Sequence, residues 1–331
     1  MGRSMNKPAV PTPSFVPRIG EVVDRRREVA FQDLRSRRLL NRLTGAGMPF
    51  GWTVNPFRGC EMGCRYCYAR STHEYLGHCE PEEFERRIYV KRADASTLIA
   101  ELRRAAESGR EVAIGTATDP YQPAEARFEV TRSVLRALAQ VPGLRVGLTT
   151  KSALVSRDVA LLGEVARRSE LRVNISLISI DAELLRLLEP RAPRPDLRLG
   201  AMRTIAAAGI PTRLFIMPVL PLLTDGENSL RDLLAAAHAA GAREAISQAL
   251  FLHTPMVHRF FLDFVEREFP WALARYRMLY PSPGRAPHQY AQAVEELVGR
   301  LARQAGFQTR SREERVKSEA PARPRQLSLV W

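Results

Sequence analysis

Between Val112 and Ala249 the chain repeats one pattern, a short apolar or alternating run followed by apolar residues at helical spacing. Val112 to Thr116 precedes Val134, Leu135 and Leu138; Leu144, Val146 and Leu148 precede Val159, Leu162 and Val165. Leu171, Val173, Ile175 and Leu177 alternate and precede Leu184, Leu185 and Leu188. A helix follows from about Arg198 to Ala208, ending at Gly209, a residue suited to the turn past a helix end. Thr212 to Met217 then reads as a strand, Leu230 to Ala237 as a helix ending at Gly241, and Glu244 to Ala249 as the last strand. Trp52 to Phe57 supplies a first strand, so about six βα units fit into residues 52–250. Such alternation builds a parallel sheet, either doubly wound or closed towards a barrel. The fourth strand chooses between them. A doubly wound central strand is apolar on both faces, whereas Arg172, Asn174 and Ser176 form a polar face that suits a wide or incomplete barrel with a ligand in its lumen.

The flanks differ in composition. Residues 1–50 form a basic extension with Pro8, Pro11, Pro13 and Pro17; residues 51–250 form the barrel. Residues 251–307 form a helical extension, with helices near Met256–Glu268 and Gln289–Ala305, and residues 308–331 a basic tail. Phe31, Leu34, Leu39, Leu40 and Leu43 give residues 30–43 the spacing of a short basic helix, and ordered structure is expected from near Gly51. A chain of 331 residues, 45% hydrophobic and 26% charged, buries a sizeable core. No run of 18 apolar residues is present, so no membrane span is expected. Met1 to Pro8 has no apolar stretch behind its charge, so no secretion signal is expected. A cytoplasmic location follows, and cysteine usage agrees with it.

Three of the four cysteines, Cys60, Cys64 and Cys67, fall within eight positions as CxxxCxxC. Loops this short strain a disulfide and leave one thiol over, but three thiolates can converge on a metal. A closed structural site uses four protein ligands; three leave a coordination position free for a cofactor or substrate. Structural zinc completed by His73 or His78 is the bland alternative, and the spacing matches no common zinc pairing. An iron–sulfur cluster is the better reading. Cys79, in a separate loop, reads as a bystander thiol, and His253, His258 and His288 lack ligand spacing. Trp52 and Trp271 read as core or interface.

The CxxxCxxC motif, with Tyr66 before its third cysteine, resembles the cluster motif of radical S-adenosylmethionine (SAM) enzymes. The resemblance extends to the branch that includes spore photoproduct lyase. It is carried by Cys60–Ala69, Gly115–Glu125, Thr150-Lys151-Ser152, Glu189–Pro193 and Pro218–Pro221, in order over roughly half the chain. The resemblance implies an α/β fold, a partial (β/α)6 TIM-like barrel, with a 4Fe–4S cluster on Cys60, Cys64 and Cys67 and SAM on its open iron. It implies reductive cleavage of SAM to a 5′-deoxyadenosyl radical, fed by an electron donor such as a flavodoxin or ferredoxin. Lys151 matches a lysine that holds the SAM carboxylate, and Ser176 a SAM-contacting serine. Gly115 to Thr118, with Thr116 between them, falls where the superfamily receives the methionine amino group; Asp119 either belongs to that site or caps the following turn. Tyr66 and Tyr68 match the two tyrosines that flank the lyase's radical path. One departure stands out: the lyase places its hydrogen-donor cysteine three residues before the matching aspartate, and this chain has Thr116 there. A threonine O–H bond is too strong to replace a thiol, so thymine-dimer reversal by the lyase route does not carry over.

The net charge of +14 permits a polyanion partner. Residues 1–45 carry ten Arg or Lys against four Asp or Glu, and residues 308–331 six against three. Only four of the basic residues are lysine, a bias that a GC-rich genome also produces. The final hexapeptide, Gln326-Leu327-Ser328-Leu329-Val330-Trp331, resembles the motif by which bacterial DNA enzymes dock on the replication sliding clamp. The resulting expectation is a radical SAM enzyme acting on nucleic acid, in the setting of DNA repair. Two alternatives stay open: a radical SAM enzyme modifying a peptide or small molecule, and a non-catalytic iron–sulfur or zinc module on nucleic acid.

Overall fold

The computed structural model of the chain describes residues 18–26, 28–36, 38–43 and 48–308. Its strands are β1 (Arg18–Arg26), β2 (Val29–Arg35), β3 (Leu40–Arg42), β4 (Trp52–Val54), β5 (Phe57–Arg58), β6 (Arg87–Arg92), β7 (Val112–Ile114), β8 (Arg145–Thr150), β9 (Glu170–Ser176), β10 (Thr212–Val219), β11 (Glu244–Ala249) and the short antiparallel pair β12 (Phe251–Leu252) and β13 (Gly284–Arg285). Seven form one sheet in the order β11-β10-β9-β8-β7-β4-β3. Every neighbouring pair from β4 to β11 is parallel, and β3 joins β4 antiparallel. Strands β3 and β11 are not paired to each other, so the barrel is open. Six parallel strands in chain order make it the expected partial (β/α)6 arrangement.

The alternation read from the fourth strand is realised in β9. Leu171, Val173 and Ile175 are at most 3% exposed in the core shared with the helices. Asn174 takes the opposite face, where its Nδ2 donates to Thr149 Oγ1 of β8 at 3.0 Å. Helices Ala95–Glu107, Val130–Leu138, Val159–Ala166, Pro195–Ala207 and Glu227–Ala239 fill the crossovers, their apolar stripes buried on the sheet. Their starts follow local chemistry: the Asp94 side chain accepts from Thr97 N, the Asp181 side chain caps Ala182–Leu188, and Pro195 occupies a first-turn position that lacks an N–H partner anyway.

The N-terminal region departs from expectation. Where a helix was expected over residues 30–43 the described residues form β2 and β3, and among the described residues strands are already present from Arg18, well before Gly51. Strands β1, β2, β6 and β5 form a second sheet in that order, with β2 and β6 parallel. Phe31 and Leu34, three residues apart, are both buried, yet only Phe31 joins the cluster of Val29, Phe57, Ile88, Val90, Ala124 and Val130. A strand covered on both faces thus produced helical spacing. This small sheet anchors β5, which feeds directly into the cysteine loop.

At the other end, Phe261, Phe264 and Val265 of the helix Pro255–Glu268 are buried, and Phe260 of the same helix lies 4.4 Å below the Arg70 guanidinium. The helix therefore packs on the cysteine loop. Trp52 is half-buried, its Nε1 donating to Ser108 Oγ at 3.0 Å, whereas Trp271 is 65% exposed. No helix of the described residues is long and apolar enough to cross a membrane. The sequence hexapeptide Gln326–Trp331 and most of the basic ends lie outside the described residues.

Candidate functional site

The cysteine loop turns at two glycines. Gly59 has φ +86° and Gly63 φ +69°. A Cβ at Gly59 would meet the carbonyl oxygens of Arg87 and Phe84 at 2.6 and 2.8 Å, and one at Gly63 would meet Glu85 Oε2 at 2.8 Å. Both positions need glycine for conformation and for room. The loop is then laced to its surroundings. Cys60 N donates to Phe84 O at 2.9 Å, Arg65 N to Leu188 O at 2.9 Å, and Arg191 N to Met62 O at 3.2 Å. Fully buried Arg70 donates from two nitrogens to Cys64 O and pairs with Glu85 at 2.8 Å. Gln122 bridges loop and barrel: its Oε1 accepts from Glu61 N at 2.9 Å, and its Nε2 donates to Gly59 O at 3.1 Å.

Cys60 and Cys64 are buried, Cys67 is partly exposed, and none is in a disulfide. Burial pushes the Cys60 thiol far up and the Cys64 thiol to about 12, Glu189 adding to the latter, and it raises Cys67 as well. Thiols of this kind stay protonated at neutral pH until a cation replaces the proton. Among the described residues no three His, Cys, Asp or Glu side chains converge on a single-ion site. In an iron–sulfur cluster each thiolate meets a different iron. The two histidines offered as a fourth zinc ligand are engaged elsewhere. His73 Nε2 bonds Arg87 O at 2.9 Å and His78 Nε2 bonds the Tyr89 hydroxyl, with Phe84 packed edge-on against His73. Three thiols on one fixed loop, without a fourth protein ligand, fit a cluster with one open iron.

Beside the loop lies a buried charged group. Lys151, at the end of β8, donates from Nζ to Ser176 Oγ at 2.7 Å and sits 3.5 Å from Glu189 Oε1. Glu189 also accepts from the Tyr66 hydroxyl and from Arg198 Nη2. Arg198 is 1% exposed and donates further to Ser176 O at 3.1 Å and Pro193 O at 2.7 Å. Burial alone would raise the Glu189 carboxyl, but Arg198 and Lys151 outweigh it and hold it below the usual range. Burial likewise pulls on Lys151, and Glu189 and Cys64 more than restore it. Two cations share the Glu189 carboxylate, and the Lys151 ammonium at the strand end suits a ligand carboxylate. On the same strand Asn174 Oδ1 is buried without a hydrogen-bond partner. These residues fit SAM: Lys151 and Ser176 would hold its carboxylate.

The β7 loop divides into scaffold and open positions. Gly115 has φ +87°, and a Cβ there would strike Thr149 O at 2.5 Å. Thr118 Oγ1 donates to Gly59 O at 2.6 Å and accepts from Gln122 Nε2 at 2.9 Å, which commits it to the cysteine loop. Asp119 accepts from Tyr121 N at 2.9 Å and Thr150 Oγ1 at 2.6 Å with one oxygen, and from Lys151 N at 2.7 Å with the other. It ties the β7 loop to β8 beneath Lys151. Thr116 Oγ1 exchanges hydrogen bonds with Asn55, which also accepts from Ala117 N at 2.8 Å. The Tyr68 hydroxyl donates to Thr116 O, and Tyr68 is 46% exposed where Tyr66 is buried. Cys79 is exposed on the loop after the helical turn Tyr68–Leu76.

A family model described as the radical SAM superfamily matches residues 54–234, which contain the whole of this arrangement. The chain belongs to the radical SAM superfamily. An uncharacterised protein of Mycobacterium tuberculosis is 37% identical over 274 residues, 82% of this chain and 80% of that one. An uncharacterised protein of Methanocaldococcus jannaschii is 27% identical over 176 residues, 53% of this chain and 63% of that one. Among solved structures, a spore photoproduct lyase mutant with bound AdoMet and dinucleoside spore photoproduct superposes with a TM-score of 0.63, covering 83% of this chain and 79% of that one. At 17% identity the likeness shows a shared fold. Membership of the superfamily implies SAM and a 4Fe–4S cluster, and with them an enzyme.

Several working parts were not assigned from sequence. Glu189 enters the sequence reading only as part of a motif and Arg198 only as a helix boundary, and nothing in the sequence singles out Asn55. Glu189 lies nine residues from Arg198 and meets Tyr66 across 123 positions, so no local spacing announces the group. The one available signal was an acidic and a basic residue flanking Pro190, Pro193 and Pro195.

Proposed function

We propose that this radical SAM enzyme cleaves SAM reductively and acts on a nucleic acid. Cys60, Cys64 and Cys67 would hold the cluster, and Lys151 and Ser176 the SAM carboxylate. When bound, these cofactors supply a 5′-deoxyadenosyl radical that abstracts a hydrogen atom. The protein's own share is orientation and exclusion. Asp119 fixes the backbone of Lys151, Glu189 aims its ammonium, and Tyr66 closes the lumen beside the cysteine loop. Tyr68, exposed and anchored on Thr116 O, stands where an entering substrate meets the loop.

The observation that carries the nucleic-acid reading is the charge of +14 on a fold shared with a lyase that was solved with a dinucleoside photoproduct. The hydrogen chemistry differs from that lyase in this reading, because Thr116 occupies the thiol position with its hydroxyl bound to Asn55. The test is deuterium transfer: 5′-deoxyadenosine is analysed after reaction with perdeuterated DNA, RNA, peptide or small-molecule pools. Deuterium arriving from DNA or RNA is the expected result. Transfer from a peptide pool, with none from nucleic acid, sinks the proposal.

A further inference from the structure

Two cations stand together just ahead of the cysteine loop. Arg58 and Tyr89 are cross-strand partners in β5 and β6, and Lys91 follows Tyr89 by two residues. Strand alternation puts all three on one face, opposite Phe57, Ile88 and Val90, which fill the core of the small sheet. Arg58 Nη2 donates to Thr72 O, in the helical turn Tyr68–Leu76. Burial, with the Arg58 charge adding to it, lowers the Lys91 ammonium to about 8. Both side chains are half-buried, and among the described residues neither has a carboxylate within ion-pair distance. Glu83, which acts on Tyr89, is taken by Arg87 at 2.9 Å and lies 3.4 Å from His78 Nδ1. Two like charges held side by side out of bulk water are costly until an anion joins them.

Tyrosine flanks the pair. Tyr75 is 69% exposed and lies within electrostatic reach of Arg58, as does buried Tyr89. It follows Thr72, the residue that holds Arg58, by one tight turn, in which side chains three apart eclipse. Tyr68 opens the same helical turn, exposed, with its hydroxyl on Thr116 O of the β7 loop. Ala69, Arg70, Ser71 and His73 take the inward positions, which leaves both tyrosines on the outside. Arg58 is two residues from Cys60 and Tyr68 is next to Cys67, so this strip borders both ends of the cysteine loop.

We infer that Lys91, Arg58 and Tyr75 hold a single-stranded stretch of the nucleic acid, with phosphate on the two cations and a base on the exposed ring; this rests on the nucleic-acid reading above. Cations that track a backbone, beside exposed aromatic rings on which bases stack, are the parts of a single-strand site. Phosphate supplies the anion that the juxtaposed cations lack, and Tyr75 offers a face to any base. A base that reacts must first leave its stack, which favours an opened strand over an intact duplex at this strip.

The experiment measures, by fluorescence anisotropy over a range of salt, the affinity of the reconstituted full chain for a labelled single-stranded oligonucleotide and for the matching duplex. The variants are Lys91→Met, Tyr75→Ala and, keeping the charge, Lys91→Arg. Lys91→Met should weaken single-strand binding about threefold or more at low salt and flatten the slope of log affinity against log salt by about 0.7, the share of one phosphate. Tyr75→Ala should weaken it about fivefold or more at unchanged slope. Lys91→Arg should bind as wild type does, and iron per chain should match wild type in all three. The urea midpoint of Lys91→Met should be equal to wild type or higher, because a repelled cation has gone. Wild-type affinity and slope in both Lys91→Met and Tyr75→Ala overturn the inference and leave the nucleic-acid reading intact. A loss confined to the duplex also overturns it, as does a lowered Lys91→Met midpoint with affinity that Lys91→Arg fails to keep, which would make the lysine structural. Unchanged strand binding with loss of inorganic phosphate binding in equilibrium dialysis would assign the pair to a free phosphate compound and overturn it likewise. A wild type that cleaves SAM but binds no oligonucleotide removes the nucleic-acid reading and this inference together.

Discussion

Replacing Glu189 by glutamine keeps the side chain's shape and removes its charge. In the folded protein that charge is shared by Arg198, 1% exposed, and Lys151 at 3.5 Å, and it accepts the Tyr66 hydroxyl. Glutamine still accepts one hydrogen bond but leaves Arg198 buried without a counter-ion. Breaking a buried pair by deleting one partner costs about 3–5 kcal/mol, and the retained hydrogen bond places Glu189→Gln near the lower end. Domains commonly hold only about 5–15 kcal/mol in all, so the loss is large. Urea unfolding of the metal-free, reduced chain measures it as a lower midpoint at unchanged slope. Arg198→Gln should cost a similar amount, and the double variant less than the sum, by about 1 kcal/mol or more. The sign with pH is fixed too. A carboxyl held below its ordinary 4.5 stabilises the fold above that pH and ceases to do so as pH falls through its folded value. Wild type should therefore lose this contribution below about pH 4.5, while Glu189→Gln has none to lose. A loss under about 1 kcal/mol, or strict additivity with Arg198→Gln, would refute the buried-network account.

Other outcomes follow from the same geometry. Gly63→Ala forces a Cβ into left-handed backbone at 2.8 Å from Glu85 Oε2; the conformation alone costs about 1–2 kcal/mol, and iron bound per chain after reconstitution should fall. Gly59→Ala, which meets two backbone oxygens that cannot swing away, should be worse on both measures. Lys151→Met should weaken SAM binding about tenfold or more in equilibrium dialysis while iron per chain is retained, and wild-type affinity would remove Lys151 from the SAM site. Burial depresses the His73 pKa to about 4, so the neutral ring stabilises the fold above pH 6.5 and that contribution disappears as pH falls to about 4. His73→Gln should flatten the wild-type decline of the urea midpoint across this window, and identical profiles would show that His73 is not the group responsible.

What could be read from the chain depended on range. The parallel strands were legible because each is a local alternation, and the polar face of β9 gave away the lumen. The cysteine triplet was legible because the chemistry demands close spacing. The strands β2 and β3 escape the sequence reading because β2 buries Phe31 and Leu34 on opposite faces, and with Leu39, Leu40 and Leu43 beyond them the intervals also suit a helix. Thr118 was expected at the SAM amino group, yet its hydroxyl is spent on Gly59 O and Gln122, a pairing across 59 residues that no motif encodes. The packing of Phe260 and Phe264 on the cysteine loop was equally hidden, since the helix Pro255–Glu268 lies some 190 residues further along the chain.

The central claim is that Cys60, Cys64 and Cys67 carry a SAM-cleaving cluster. Its most direct test is anaerobic reconstitution followed by reduction with SAM present, with iron and 5′-deoxyadenosine measured for wild type, a Cys64→Ala variant and a Cys79→Ala variant. Wild type and Cys79→Ala should bind about four iron per chain, absorb broadly near ~400 nm and release 5′-deoxyadenosine, while Cys64→Ala does neither. A colourless wild-type protein, or one that holds iron but leaves SAM intact on reduction, would contradict it.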